Sequence, residues 1–389
     1  MRAKIDIKDL NRMVKLAGKV IDKRTSFSDL EGKIVLSVRN GKFEVYAVST
    51  KDTPTDLLQW IPVESEYNDD FECVFAAEEG EWTIALKDLA PLKSVKKGKV
   101  LIESGESKVI FTAGGISFPV YAWEGAYGGY NFGLPDTIPE PRASLPISTE
   151  DCAGFAFVAL ALSLDETRPA LMGAKVQDGS LVSVDGHRLH RFILRSKYTH
   201  NPDGEGITRI LSPKMVALIA GGETGTLHET MPYGMNERAL HTLEADGLRL
   251  RSVENKERFP DFTKVFPRLT DNMAAKIDAA ALVSAVKPLC AGWKASTLII
   301  TQGADGWHLT CRPRGKSKGE PRKSIFRTDA KNLPNLALGV DPSYLLDALK
   351  DRDGEITFGC VDADSPMWFG EWESGNIYGT GAIVMPIEV

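Results

Sequence analysis

The chain has 389 residues, more than one hydrophobic core usually supports, so we expect two or three domains. Its apolar content of 43% and charged content of 26% are typical of a folded soluble protein. No run of about 18 uncharged apolar residues and no signal-peptide pattern occurs, so we expect a cytoplasmic protein without membrane contact. The net charge of −6 argues against an evenly basic surface, although a local basic face remains compatible with it.

The cysteines and histidines show no pattern of metal ligation. The five cysteines are far apart and form no Cys-x-x-Cys pair, and the six histidines have no repeated ligand spacing. We therefore expect reduced thiols, no metal and no cofactor.

Helical patterns occur twice in each third of the chain. The first covers residues 6–23, where apolar residues recur on one face, including Leu10, Met13 and Ala17. The others cover residues 83–97, 148–164, 212–220, 278–290 and 341–350. Pro213 and Pro342 stand at first-turn positions, and Asp341 is a candidate helix cap.

Short β-branched runs follow these helices. They cover residues 33–48, 99–113, 207–211, 297–311 and 355–360. The order of helix, strands, helix and strands recurs three times, which predicts an α+β unit present in three copies. Two features indicate domain boundaries: a proline cluster from Pro135 to Pro146, and Pro267 at the end of the run 258–267. The predicted domains are therefore 1–138, 139–267 and 268–389.

The chain ends in an apolar run at residues 383–389. Its β-branched residues predict a strand, and Pro386 favours a sheet edge for the end of that strand. Two interpretations remain open: a last strand that closes the core, or a wall that receives apolar side chains of a partner.

Positive charge concentrates on one face of the first helix. Lys8, Arg12, Lys15, Lys19 and Lys23 recur every three or four residues, and the second helical region adds Lys93, Lys96 and Lys97. Such faces suit sequence-independent contact with phosphates, but a solvated helix face has the same pattern. A basic cluster at residues 312–323 either contacts DNA or keeps an exposed hairpin unpaired.

One short run combines groups that can do chemistry. Asp185, Gly186, His187 and Arg188 follow an apolar stretch, and they fit either half of a hydrolase site or a structural Asp-Gly turn. No nucleophile elbow, P-loop, zinc-protease or dinucleotide motif accompanies them.

Three runs taken together resemble the bacterial sliding clamp, the β subunit of DNA polymerase III. They are residues 184–189, residues 258–267 and residues 384–387, in the order of that family and at roughly its spacing. The ordered set is more specific than any one run. The resemblance covers the whole chain as three α+β segments, although the sequence outside the runs differs widely.

The resemblance implies a head-to-tail homodimeric ring with three similar domains in each subunit, helices around a central hole and sheets outside. It implies a processivity factor that encircles double-stranded DNA without regard to sequence and is not an enzyme. The DNA polymerase and the clamp loader would bind through short peptides, in a pocket between the second and third domains.

The residues that the resemblance assigns fall into three groups. The implied pocket comprises Arg168, Leu171, Gly186, His187, Arg188, Leu189, Pro260, Val265, Tyr344, Val384, Met385, Pro386 and Ile387. The lysines and arginine described above would line the hole. Ring closure would pair an edge strand at Phe118 and Val120 with Leu289 and Cys290.

The chain departs from the family pattern at several positions. Val184 stands where threonine is usual and Glu388 where a basic residue is common, so peptide preference is expected to differ. The helix at 152–164 carries no lysine or arginine, and Pro119 and Pro288 fall in the implied subunit contact. These differences would suit a specialised clamp, for instance of a phage or plasmid.

Two alternatives remain beside the clamp. A clamp-like fold could serve as a DNA-binding regulator that never encircles DNA, and it would bind linear ends without being trapped. A hydrolase centred on His187 requires a nucleophile or metal shell that the sequence does not provide.

Overall fold

The computed structural model describes residues 1–21, 32–49, 55–63, 66–67, 73–124, 140–177, 179–197, 209–230, 239–316, 318–328, 337–372 and 379–388. The chain divides into two compact units. The first comprises Met1–Thr149, Ser196–Ile207 and Lys214–Lys256, and the second comprises Glu150–Arg195, Thr208–Pro213 and Glu257–Val389. These units do not follow the three predicted segments, whose boundaries stay a prediction.

Secondary-structure elements alternate along the chain as short helices between strands. Up to residue 147 they are β1 (Arg2–Asp6), α1 (Ile7–Val20), β2 (Lys33–Arg39), β3 (Lys42–Ser49), β4 (Thr55–Pro62), β5 (Glu66–Tyr67), β6 (Cys73–Phe75), β7 (Gly80–Ala85), a 3-10 helix (Leu86–Ser94), β8 (Lys99–Gly105), β9 (Lys108–Ala113), β10 (Ile116–Glu124) and β11 (Pro141–Ile147). Up to residue 253 they are α2 (Thr149–Ala159), α3 (Pro169–Met172), β12 (Ala174–Gln177), β13 (Ser180–Val184), β14 (Arg188–Ile193), β15 (Arg209–Leu211), α4 (Pro213–Ile219), β16 (Gly225–Thr230), β17 (Leu240–Ala245) and β18 (Leu248–Val253).

The last third contains two 3-10 turns (Phe262–Val265 and Asp271–Met273), β19 (Ala274–Asp278), α5 (Ala279–Cys290), β20 (Ser296–Gly303), β21 (Gly306–Pro313), β22 (Arg322–Phe326), β23 (Leu338–Val340), α6 (Pro342–Ala348), β24 (Glu355–Gly359), β25 (Met367–Gly370) and β26 (Gly381–Val384). The mixture of helices and sheets is the predicted α+β class.

One long antiparallel sheet organises the first unit. Its strands lie in the order β1-β8-β9-β10-β7-β2-β3-β4-β18-β17-β16-β11. The pairing of β4 with β18, with Leu57 opposite Leu250, joins strands from the first and second predicted segments into one sheet. Beside this contact Arg251 Nε donates to the buried carboxylate of Asp56 at 2.9 Å, so the charge of the acid is neutralised inside the sheet.

Helix α1 packs on the long sheet of the first unit, against β3 and β4. Asp6 caps its start, because its carboxylate accepts from the backbone N–H of Lys8 at 2.7 Å. Its buried face consists of Ile7, Leu10, Met13, Leu16, Ala17 and Val20. The predicted amphipathic helix is therefore confirmed up to Val20, and residues 22–23 lie outside the described part of the chain.

The second unit contains an eight-stranded and a four-stranded sheet. The larger has the order β15-β12-β13-β14-β26-β25-β24-β19 and the smaller the order β22-β21-β20-β23. Aromatic side chains fill the core between α5, α6 and these strands, with Trp307 and Phe358 ring centroids 5.1 Å apart. Asp278 and Asp341 cap α5 and α6, which confirms the predicted starts of both helices.

The C-terminal strand corrects one prediction. β26 ends at Val384 and lies between β14 and β25, so it is an inner strand and Pro386 follows it instead of ending an edge. An inner position suits β26 because Ala382, Ile383 and Val384 are all buried and both edges of the strand carry hydrogen bonds. The interpretation as a strand that closes the core is the correct one for residues 381–384.

Two helix predictions are also adjusted. The region predicted as helical over 83–97 forms a 3-10 helix at Leu86–Ser94 that contains Pro91, a residue that disrupts the hydrogen bonding of an α-helix. The helix predicted over 148–164 ends at Ala159. Within the described residues, no helix is long and apolar enough to cross a membrane.

The β17–β18 hairpin supplies a test of this fold. Gly247 has φ +68°, and a Cβ there would lie 2.7 Å from the carbonyl oxygen of Trp60 on the neighbouring strand β4. We expect Gly247→Ala to lower the free energy of unfolding by about 2–4 kcal/mol, because strain and a backbone clash add. Gly115→Ala is the matched control, since Gly115 has φ +81° with open space around its Cβ. Equal losses in urea unfolding of the two variants would contradict the close approach of β18 to β4.

Candidate functional site

The Asp185–Arg188 turn between β13 and β14 is fixed by the side chain of its first residue. The Asp185 Oδ1 accepts from the backbone N–H of His187 at 2.9 Å and of Arg188 at 3.0 Å. Gly186 has φ +95°, a conformation that glycine adopts without strain. Such an Asx turn leaves Gly186 and His187 exposed at the end of the hairpin.

Arg188 holds this turn against helix α6. Its Nε donates to Asp185 Oδ2 at 2.9 Å, and its Nη1 forms an ion pair with Asp347 of α6. Its guanidinium also lies 4.5 Å from the ring centroid of Tyr344, one helical turn before Asp347. The ring of Tyr344 in turn stacks on that of His187, with centroids 5.9 Å apart. Burial raises the pKa of the Tyr344 phenol, and the neighbouring Asp185 raises it further.

The C-terminus runs alongside the same turn. In the β14–β26 register Arg188 is opposite Val384 and Leu189 is opposite Ile383. Beyond the strand the N–H of Met385 donates to the carbonyl of His187 at 2.9 Å. The N–H of Ile387 donates to the carbonyl of Gly339 on β23 at 2.9 Å. Residues 385–387 are therefore held by a backbone hydrogen bond at each end.

An apolar floor lies beneath the turn and the terminus. We use "apolar floor" for the cluster formed by Val182, Leu189, Ile210, Phe259, Phe262, Leu269, Trp368 and Ile383. Ala170, Val184, Phe266 and Met385 pack on it while only partly buried. The exposed parts of these four side chains offer apolar contact to a partner.

Two further segments, residues 168–171 and 259–266, border the apolar floor. A Cβ on Gly186 would lie 3.0 Å from Arg168, whose Nε is held by Asp165 at 2.7 Å, so Arg168 borders the turn. Leu171 is buried. Phe259 and Phe262 insert into the floor, whereas Pro260 between them and Val265 after them are exposed.

The structure therefore gathers most of the predicted pocket residues in the second unit. His187 stacks on Tyr344 and accepts from the N–H of Met385, Arg188 lies over the ring of Tyr344, and Gly186 belongs to the same turn. Pro260, Val265 and Leu171 belong to segments at the same floor. The assignment of a binding role to these residues remains a prediction.

Sequence reasoning missed Asp347, Trp368 and the phenylalanines of the floor. Asp347 follows Tyr344 by three residues on a predicted helix, a spacing that puts both on one face. No local sequence pattern predicts a role for Trp368. The order of strands in the sheet places it next to Ile383, which in turn pairs with Leu189.

The geometry does not support the hydrolase alternative. The carboxylate oxygens of Asp185 accept hydrogen bonds from two backbone N–H groups and from the side chain of Arg188. The carboxylate therefore does not orient the imidazole of His187. His187 instead stacks on Tyr344. Among the described residues, no group of three or more potential metal ligands lies together.

The basic face of α1 is only partly free. Lys8, Arg12 and Lys15 are exposed, and Arg12 forms an ion pair with Glu223 at 2.5 Å. Lys19 donates to the carbonyl of Ala217 at 3.2 Å. Burial lowers the pKa of Lys19, and Lys15 lowers it further, whereas Glu223 raises it. Two of the predicted cations are thus anchored to the end of α4, which sits beside α1 in the first unit.

Lys93, Lys96 and Lys97 are exposed at the end of the 3-10 helix. Lys96 donates to the carbonyl of Lys93 at 2.9 Å. Lys23 lies outside the described residues.

The residues predicted for subunit contact differ in accessibility. Phe118 and Val120 lie on β10, whose residues 116–121 pair with β9 and whose residues 122–124 pair with β7. Val120 and Leu289 are buried within their own units, whereas Phe118 and Cys290 are partly exposed. Pro288 lies inside the last turn of α5 and does not prevent that helix from forming.

Comparison with known proteins identifies the fold. No family model and no curated protein matches the sequence. Solved structures do match over the whole chain. They include a Helicobacter pylori beta clamp bound to a DNA ligase peptide (18% identity, TM-score 0.73, 100% of both chains) and a Pseudomonas aeruginosa sliding clamp, DNA polymerase III subunit beta, bound to griselimycin (20%, 0.73, 100% of both chains). A Thermotoga maritima DNA polymerase III beta subunit matches at 17% identity and TM-score 0.74, covering 100% of this chain and 99% of the other.

The chain thus has the fold of the bacterial sliding clamps. This likeness confirms the predicted fold, although the low identity leaves the function to be argued from the site.

A buried histidine behind the turn provides a test of the site's packing. His190 follows Leu189 on β14, is fully buried, and donates from Nδ1 to the carbonyl of Phe157 at 2.8 Å. Burial lowers its pKa to about 3, and Arg188 and Arg352 act in the same direction. Between about pH 6.5 and 3 the unfolded chain therefore binds a proton at this position that the folded chain does not bind.

We expect this difference to lower the free energy of unfolding by about 2 kcal/mol between pH 7 and pH 5. His190→Gln keeps a donor for Phe157 and removes the titrating group. Urea unfolding should accordingly show a weaker pH dependence for the variant than for the wild type. The same pH dependence in both proteins would contradict the buried, neutral state of His190.

Proposed function

We propose that this protein is a DNA sliding clamp, a processivity factor that encircles double-stranded DNA and tethers a polymerase and a clamp loader through short peptide motifs. The observation that carries the proposal is the convergence of the 185–188 turn, Met385 and residues 259–266 on one apolar floor in a protein of clamp fold. The Helicobacter pylori clamp of the same fold binds a DNA ligase peptide, which supports a peptide-binding role.

The proposal includes a head-to-tail homodimer with domains 1–138, 139–267 and 268–389. Subunits would meet through β10 near Phe118 and the end of α5 near Cys290, where partly exposed apolar side chains are available. The protein would perform no chemical reaction and would act in the cytoplasm, where chromosomal, plasmid or phage DNA is copied.

The peptide pocket would work by accepting apolar anchors beside Met385 and His187. Met385 is partly buried on the floor, and its neighbour Val184 has no hydroxyl to offer a peptide. The pocket wall is therefore apolar at this point, and we expect leucine and phenylalanine anchors to contribute most of the affinity.

The first test of the pocket is anisotropy of a labelled peptide with the pattern Gln-Leu-x-Leu-Phe. We expect saturable binding by the wild type, weakened about tenfold or more by Met385→Asp, since the variant places a charge in an apolar wall. Ile325→Asp is the matched control, since it introduces the same charge at an exposed apolar residue of β22 outside the apolar floor, and it should bind as the wild type. Wild-type affinity in Met385→Asp would remove Met385 from the pocket.

The decisive test of the clamp function is topological. A ring should stay on a closed circular DNA at a salt concentration that releases simple electrostatic binders, and it should leave after a restriction enzyme linearises the circle. Equal retention on circular and linear DNA would favour a DNA-binding regulator that does not encircle its substrate.

The α1 face is tested by joint replacement of Lys8, Arg12, Lys15 and Lys19 with alanine. We expect weaker DNA association and a salt dependence whose slope falls by about 2 to 4, with peptide binding unchanged. The lower limit reflects the ion pair of Arg12 and the partial burial of Lys19. A control removes four exposed cations outside α1, the Lys93–Lys97 region and the 312–323 cluster, at Lys42, Lys108, Arg268 and Lys276. An equal effect of both sets would mean that α1 is not the DNA-facing element.

A further inference from the structure

A cavity of about 370 Å³ lies along the exposed face of helix α2, within the second unit. Its lining residues are Ala153, Ala156, Phe157, Leu160, Phe192, Lys350, Asp351, Arg352 and Thr380. None of them is among the residues assigned to the peptide pocket, and none has a role in the proposed clamp.

The apolar wall of the cavity follows helical spacing. Ala153, Ala156 and Phe157 share one face of α2, and Leu160 in the turn directly after the helix extends this face. The opposite face, with Phe155 and Val158, is buried in the core. Helix α2 is thus apolar on both faces, whereas a surface helix normally presents polar residues outward.

Close packing at Gly154 shapes the side of the cavity. A Cβ there would lie 2.2 Å from the ring of Phe192, so the absence of a side chain lets Phe192 of β14 lie directly on α2. Phe157 stands next to it, and its ring is stacked on the buried His190 with centroids 4.4 Å apart. Two aromatic rings are therefore held in fixed positions at the same cavity.

The rim opposite this wall is cationic. The guanidinium of Arg352 lies 4.7 Å from the centroid of the Phe157 ring, and Lys350 is exposed two residues earlier. Among the described residues the Nε of Arg352 is buried and has no hydrogen-bond acceptor. Asp351 is the one acid in the lining, and Glu371 is the other carboxylate that acts on Arg352.

Arg352 lines the cavity, so a carboxylate that enters it meets a guanidinium and can form a charge-assisted hydrogen bond with that group. The cavity has the size and the character of small-molecule sites, which are mostly apolar with a few polar groups that orient the ligand. The aromatic walls favour a flat apolar body, and Arg352 favours an acidic group at one end of that body.

We propose that this cavity binds a small amphipathic carboxylate, an aromatic ring system that packs against Phe192 and the edge of the Phe157 ring and carries an acid that pairs with Arg352. The site is separate from the peptide pocket, and its existence does not depend on the clamp function.

The test compares naphthoate with naphthylmethanol, which has the same ring system and no charge. Calorimetric titration of the wild type should show that the acid binds about tenfold more tightly than the alcohol, as a charge-assisted hydrogen bond predicts. Arg352→Met should bind the two compounds equally. Arg312→Met removes an exposed cation outside the cavity and should keep the preference of the wild type.

A second variant tests the position of the site. Ala156→Trp fills the cavity from an exposed helix position and should abolish binding of both compounds, with its fold checked by thermal unfolding. Naphthoate should also leave the labelled clamp-motif peptide bound. Absence of naphthoate binding at millimolar concentration, equal binding of acid and alcohol by the wild type, unchanged binding by Ala156→Trp, or displacement of the peptide would each overturn the proposal.

Discussion

The pairing of β26 with β14 is the constraint on which the candidate site depends. It places the last strand of the chain in the middle of an eight-stranded sheet and sets Leu189 opposite Ile383. Only with this register do the 185–188 turn and Met385 come together, with the hydrogen bond from Met385 to His187 as the direct result. A shift by one residue would turn Ile383 away from the apolar floor, so the burial of Trp368 and Leu189 protects the register.

Side-chain electrostatics then make the turn rigid. Asp185 organises the backbone of the turn, and Arg188 joins it to α6 through Asp347 and the ring of Tyr344. Arg188 thus forms ion pairs with both carboxylates, so its own charge is compensated within the protein. What remains for a partner is an apolar surface with a fixed shape, a suitable arrangement for recognising apolar peptide anchors and a poor one for acid–base chemistry.

Helices α1 and α2 differ in the charge of their exposed side chains. Helix α1 in the first unit presents lysines and an arginine, of which Arg12 and Lys19 are partly neutralised by contacts near α4. Helix α2 in the second unit presents alanine, phenylalanine and leucine instead. In the proposed clamp, phosphate contact would therefore fall mainly on α1 and the region of Lys93 to Lys97, and the cavity along the exposed face of α2 would take a different ligand.

The sequence by itself determined the α+β class, the helix starts at Asp6, Asp278 and Asp341, and the Asp185-Gly186 turn, because caps, amphipathic spacing and turn residues act over a few neighbouring positions. Its motifs also pointed to most residues around the apolar floor. The inner position of β26, the roles of Asp347 and Trp368, and the joining of β4 to β18 were decided by tertiary structure alone. Strand order and packing depend on contacts between distant residues, and no local pattern in the sequence encodes them.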